Sequence, residues 1–240
     1  MDGVINAFVI AAGKGDHATM IGLRNNYALN VDTVDSYGYT ALHFAVMGIQ
    51  YSTVELLLDM GANINSKTRF QNTPLTLCDD NRIPIARLLI ERGVDIESVC
   101  EYGNTPFAIA CIILNHNLAS LLLESGTDVN HVDKEHVTPL MVSASSSRHQ
   151  PIMNLLLYQA TANIHAVDRA HCSLLEYAMK ISAHGFLTVQ ALINMGMMCE
   201  KKELQMILPF FFDGQSSLHV ATADYNALLC EWERLSSNIK

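Results

Sequence analysis

The chain has 240 residues, half of them hydrophobic, which is enough to build a sizeable core and excludes a disordered polypeptide. Its formal charge is −9, and neither half is basic: residues 1–120 hold seven Lys or Arg against twelve Asp or Glu, and residues 121–240 hold eight against twelve. Binding to a phosphate backbone or to an anionic membrane needs a clustered positive face, so nucleic acid and membrane are set aside as partners.

In chain order, residues 1–34 open with a helix pair carried by Phe8, Ala11 and Ala12, turning at Gly13–Asp16, with Tyr27 standing where a helix-ending glycine is expected. Residues 38–65 then give the fullest unit. A polar turn at Gly38 precedes Thr40, which can cap a helix whose apolar stripe is Leu42, Ala45 and Val46. A second helix carries Val54, Leu57 and Leu58, and Gly61 lets the chain leave it with positive φ. The same order recurs from Thr73, Thr105, Thr138, Ser173 and Ser216, at intervals of 33, 32, 33, 35 and 43. Pro74, Pro106 and Pro139 follow three of these threonines, at the helix position where a missing N–H costs nothing. A period near 33 means stacked repeats.

The runs Thr40-Ala41-Leu42-His43-Phe44-Ala45, Thr73-Pro74-Leu75, Thr105-Pro106-Phe107-Ala108-Ile109-Ala110 and Thr138-Pro139-Leu140 resemble the signature of the ankyrin repeat family. Ser173-Leu174-Leu175-Glu176-Tyr177-Ala178 and Ser216-Ser217-Leu218-His219-Val220-Ala221 are looser copies. The resemblance implies an all-α ankyrin-repeat solenoid of stacked helix pairs with hairpin loops. It would have a cap at 1–34, repeats at 35–67, 68–99, 100–132, 133–167 and 168–200, an insert at 201–212 and a capping repeat at 213–240. Departures from the pattern carry their own expectations. One residue is missing near Asn81–Pro84 and Gln71 replaces the hairpin glycine, so the turn of the second repeat is expected to be irregular. Extra residues at Ser145–Gln150 and around Ser182–Gly185 predict longer loops, a short helix is expected between Lys201 and Phe210, and Trp232 is assigned to cover the last apolar face.

Function is less legible. The resemblance implies a non-catalytic module that binds a partner protein on the concave face of hairpin tips and first helices. Transferred position by position, that face holds Tyr37, Tyr39, Met47, Arg69, Phe70, Asp80, Glu101, Tyr102, Ile112, Ile113, Lys134 and Glu135. Tyr37, Tyr39, Phe70 and Tyr102 fall in three consecutive hairpins and would form a stripe of rigid, large side chains suited to anchoring a partner. The plainer reading is that they pack across neighbouring hairpins. Asn65 and Asn130, each eight residues after a leucine, resemble hairpin asparagines that asparaginyl hydroxylases modify in ankyrin proteins; an asparagine that only closes the hairpin is the favoured reading.

No enzyme, metal site or cofactor is expected. The resemblance gives His43 and His219 hydrogen bonds that hold the threonine turn. His131/His136, His165/His171 and His171-Cys172 lack ligand or protease spacing and are read as solvated loop residues. Gly13-Lys14-Gly15-Asp16 follows a helix rather than a strand and has no Ser or Thr after the lysine, so it is a turn and not a phosphate loop. Six scattered cysteines without a Cys-x-x-Cys pair, no basic leader, no glycosylation sequon and no membrane-length apolar run predict a cytosolic compartment, the protein's own or a host's; a monomer is expected. Two other classes stay open: a secreted effector or viral mimic that uses the scaffold inside a host cell, and an enzyme within 197–240.

Overall fold

A computed structural model describes residues 2–145, 150–158 and 161–179. The expectations for the loops at 146–149 and 182–185, the insert at 201–212, His219, Trp232 and the final cap lie outside the described residues. Two compact units divide the chain, residues 1–134 and residues 135 onward. Among the described residues the elements are helices, with one isolated antiparallel bridge between Val167 and Ser173.

The first unit pairs α1 (Asp2–Lys14) with α2 (His17–Tyr27), α3 (Ala41–Met47) with α4 (Tyr51–Asp59), and α6 (Pro106–Ile112) with α7 (His116–Glu124). Between them stand α5 (Ile83–Glu91) and two 3-10 turns, Leu75–Leu77 and Asp80–Arg82. In the second unit α8 (Pro139–Ala144) packs on α9 (Gln150–Tyr158) and α10 (Leu174–Met179).

The helix starts follow the sequence. Thr40, Thr105 and Thr138 each accept, through Oγ1, the backbone N–H three residues on (His43, Ala108 and Met141), at 3.2–3.4 Å. The stripe is buried as expected: Leu42, Ala45 and Val46 in α3, Leu57 in α4, Leu89 in α5, Leu118 and Leu122 in α7. Three successive apolar residues cannot all face one side of a helix, and Leu58, Ile90 and Leu123 are only half-buried. Cys78 and Cys111 are core residues, and burial pushes both thiols up to about 12.

Three departures are informative. Gln71 adopts φ +61° and keeps the hairpin regular: its N–H donates to Thr68 O at 2.9 Å, and Thr68 N–H donates to Asn72 O at 3.0 Å. The irregularity sits instead in the first helix of that repeat, which is replaced by the two 3-10 turns. This repeat has one residue fewer between its Thr and its second helix than the unit that begins at Thr40, and it starts with 3-10 turns where that unit has an α-helix. Arg82 occupies the space, donating from Nε to Val46 O (2.8 Å) and from Nη2 to Met47 O (2.7 Å), while Nη1 meets the Asp79 carboxylate. It thereby caps the exposed carbonyls at the end of α3. In the opening unit the helix-ending position belongs to Ala28, at φ +50° and followed by Leu29 N–H donating to Arg24 O, and not to Tyr27.

Candidate interaction surface

In the first two aromatic tips a short polar residue folds the backbone over itself, while the third, at Cys100–Asn104, closes through backbone bonds. Asp35 accepts, at one carboxylate oxygen, the N–H groups of Tyr37 (2.8 Å) and Tyr39 (2.9 Å), and its carbonyl accepts Gly38 N–H. Thr68 does the equivalent in the next hairpin, its Oγ1 accepting Asn72 N–H at 3.2 Å. Neighbouring tips are joined by one backbone hydrogen bond each. Arg69 N–H donates to Tyr37 O (3.1 Å), Glu101 N–H to Phe70 O (3.2 Å) and Lys134 N–H to Tyr102 O (3.2 Å). An added Cβ at Gly38 or Gly103 would stand 2.9 Å from the incoming amide nitrogen, so these glycines serve the joint as well as the positive φ.

The acceptors in that ladder are the three aromatic residues, which fixes their backbones in register and leaves the rings outside. Tyr37 is 59% exposed, Phe70 54% and Tyr102 73%. Tyr39 does not join them: it is half-buried, its ring edge-on to His43 and Phe44 at centroid distances of 5.7 and 5.9 Å. Arg69, Glu101 and Lys134, one on each successive tip, are exposed. Glu135, in the second unit, accepts Arg169 N–H at its carbonyl (2.9 Å) and approaches the Arg169 guanidinium at 3.9 Å.

Of the first-helix residues, Met47 ends α3 half-buried under the Arg82 contact. Ile112 and Ile113 close α6 and are 42% and 49% exposed. Asp80 departs from expectation, because its repeat lacks an α-helix there. It accepts Asn117 Nδ2–H at 3.2 Å and lines a cleft of about 350 Å³ shared with Ile83 and Arg87 of α5 and Leu121 and Glu124 of α7.

Other residues are structural. His43 is fully buried; Thr40 N–H donates to its Nδ1 at 3.1 Å, which leaves Nε2–H to donate to Asn72 O at 3.2 Å in the next repeat. His131, expected to be solvated, is half-buried and bonds through Nε2 to Gly103 O at 3.0 Å. Asn65 Oδ1 accepts Asp95 N–H at 2.9 Å, as Asp32 accepts Asn63 N–H and Glu97 accepts Asp128 N–H. This second ladder was hidden in the sequence because its members are Asp, Asn and Glu, although they recur at the repeat period. The N–H of Asn130 donates to Asp128 Oδ1 at 2.9 Å. Ile49 and Leu114, exposed at the turns between paired helices, also went unread; only their alignment with Gly15 could have marked them. Among the described residues no three His, Cys, Asp or Glu side chains are grouped to hold a metal ion, and no helix is long and apolar enough to cross a membrane.

A family model described as ankyrin repeats (3 copies) matches residues 3–68 and 75–168. Among curated proteins, the chain is 41% identical over 71 residues to the mouse Ankyrin repeat and MYND domain-containing protein 1, covering 29% of this chain and 8% of that protein. It is 47% identical over 45 residues to the monkeypox virus Ankyrin repeat protein OPG189, covering 19% and 8%. It is also 40% identical over 93 residues to Ankyrin repeat and SOCS box protein 6 of Pongo abelii, covering 37% and 22%. The chain thus spans less than a quarter of the length of each of these relatives.

Proposed function

The chain belongs to the ankyrin repeat family, and from that premise we propose that it is a non-catalytic module that captures a partner protein on the hairpin tips of its first unit. Ankyrin repeats are generally protein-interaction modules. The observation that carries the reading is the row of exposed rings, Tyr37, Phe70 and Tyr102, on consecutive tips whose backbones are already bonded together. A prearranged row of aromatic groups loses little entropy on binding and buries much area per residue. Arg69, Glu101 and Lys134 border the row, and Ile112 and Ile113 extend the surface we assign to the partner. Met47, Asp80 and Tyr39 are assigned to its margin. We read Asn65 as a hairpin-closing residue whose amide is engaged; mass spectrometry of protein from a eukaryotic host is expected to show no added oxygen there or at Asn130. A monomer in a cytosolic compartment is the accompanying reading, the compartment supported by the free cysteines Cys78, Cys100, Cys111 and Cys172.

The test is affinity capture from eukaryotic cytosol with wild type beside the Tyr37→Ala/Phe70→Ala/Tyr102→Ala variant. Alanine removes only exposed rings and leaves the backbone ladder in place, so helical circular dichroism should be unchanged while affinity falls by about 100-fold or more. A partner held equally by both proteins would move the site elsewhere.

A further inference from the structure

A second contact site lies between α5 and α7, and it does not depend on the aromatic row. The cleft of about 350 Å³ there has Ile83 and Leu121 as apolar walls and Asp80, Arg87, Asn117 and Glu124 in its polar lining. Asp80 Oδ1 accepts Asn117 Nδ2–H at 3.2 Å, which ties that carboxylate to the start of α7. An ionised carboxylate donates nothing, so the amide turns its nitrogen to Asp80 and keeps Oδ1 as a further acceptor. Neither Asp80, Arg87 nor Glu124 has an opposite charge within 4.0 Å among the described residues. With two carboxylates against one guanidinium the lining favours a cation, and the apolar walls suit one carried on a methylene stem over a bare ion.

Apolar surface adjoins the cleft in the chain. Asn115 caps α7, and just before it Ile112, Ile113 and Leu114 are all exposed. Asn117 is three positions after Leu114, so their Cα atoms lie no more than about 11 Å apart. Leu114 holds φ +65°, in the left-handed region that Gly15 occupies at φ +72° in the opening unit. A glycine would make the same turn without strain, and an exposed leucine returns little burial for that cost. We propose that the cleft and this apolar turn together bind a segment of a partner protein that carries a Lys or Arg within three positions of an apolar residue. The basic side chain lays its methylenes on Ile83 and Leu121 and brings its charged end to Asp80 and Glu124, and the apolar residue covers Ile113 and Leu114. An extended stretch of three residues spans about 10 Å, so one short segment reaches both. An acidic side chain in the same cleft would face two like charges.

The test is an NMR titration of the full chain, read at the amides of α5 and α7, with a glycine–serine peptide carrying Leu-Gly-Gly-Arg, beside versions with Glu in place of Arg or Ser in place of Leu. The Leu/Arg peptide is expected to bind at least about fivefold tighter than either. Asp80→Asn/Glu124→Gln should weaken it by about tenfold; both side chains are exposed, so helical circular dichroism stays unchanged. Arg87→Ala should bind as well or better. Leu114→Gly should weaken binding severalfold without lowering the urea midpoint, which separates a contact from a structural role. Tighter binding of the Glu peptide, lost on Arg87→Ala, overturns the choice of a cation. Equal binding to wild type and to the Asp80/Glu124 variant, or no shift at α5 and α7, overturns the site. The Tyr37→Ala/Phe70→Ala/Tyr102→Ala variant should bind this peptide like wild type. Loss of binding there would assign the peptide to the tips and overturn the cleft, whereas failure of the tip row in partner capture leaves the cleft standing.

Discussion

A single neutral imidazole ties two repeats together. His43 takes a proton poorly because it is buried, and its pKa is held below the ordinary 6.5, against the smaller upward pull of the backbone groups it bonds. The unfolded chain takes up that proton near 6.5 and the folded chain does not, so the stability contributed by neutral His43 is present above pH 6.5 and is lost as pH falls below it. Urea midpoints measured from pH 7.5 to 5.5 should therefore decline, and His43→Gln should be less stable at pH 7.5, by about 1–3 kcal/mol, with a shallower decline. An unaltered slope would remove His43 from the account. A second residue carries strain: Ile49 is β-branched and holds φ +58° while 49% exposed. Ile49→Gly should raise stability by about 1 kcal/mol in the same assay, since a left-handed residue costs about 1–2 kcal/mol and little burial is given up.

Elements are fitted to one another by small residues and by one arginine. Gly48, which follows α3, has φ −78° and needs no conformational freedom; it is needed for space, because a Cβ there would lie 1.9 Å from Gly13 O in α1. Two backbones meet at that point, and neither can yield as a side-chain end could. Gly48→Ala should consequently lower stability by about 1–3 kcal/mol, with loss of protection at α1 amides in hydrogen exchange. The irregular second repeat shows the opposite solution. There the helix is lost, and the guanidinium of Arg82 satisfies the carbonyls of Val46 and Met47 at the end of the preceding helix.

At the scale of the molecule, repeats that touch only their neighbours make stability a sum of local terms, and a unit with its own core can stand alone. Residues 1–134 contain four helix-pair positions, the capping pair α1 and α2 among them, and all three joints of the aromatic tips. Expressed as a fragment, 1–134 should show helical circular dichroism, a single cooperative urea transition and the same tip-dependent partner capture as the full chain. A broad, non-cooperative transition would show that the second unit is required for the first to fold.

The repeat period, the helix starts and the buried stripe were legible from sequence because each depends on a few neighbours: a threonine three residues before the N–H it accepts, leucines on one helical face, a glycine where φ turns positive. Membership of the family follows from the same local signals. Which aromatic faces outward was not legible, since Tyr37 and Tyr39 are chemically alike and only the packing of His43 and Phe44 draws Tyr39 inward. Nor was the fate of Asp80, which depended on whether one absent residue would distort a turn or a helix. Gln71 and Ala28 hold positive φ without being glycine, because the bonds around them over-determine the backbone. Local hydrogen-bonding chemistry is written in adjacent residues; exposure, register between tips and the choice of which strain to accept are set by groups about 30 positions away, and only the folded chain brings these together.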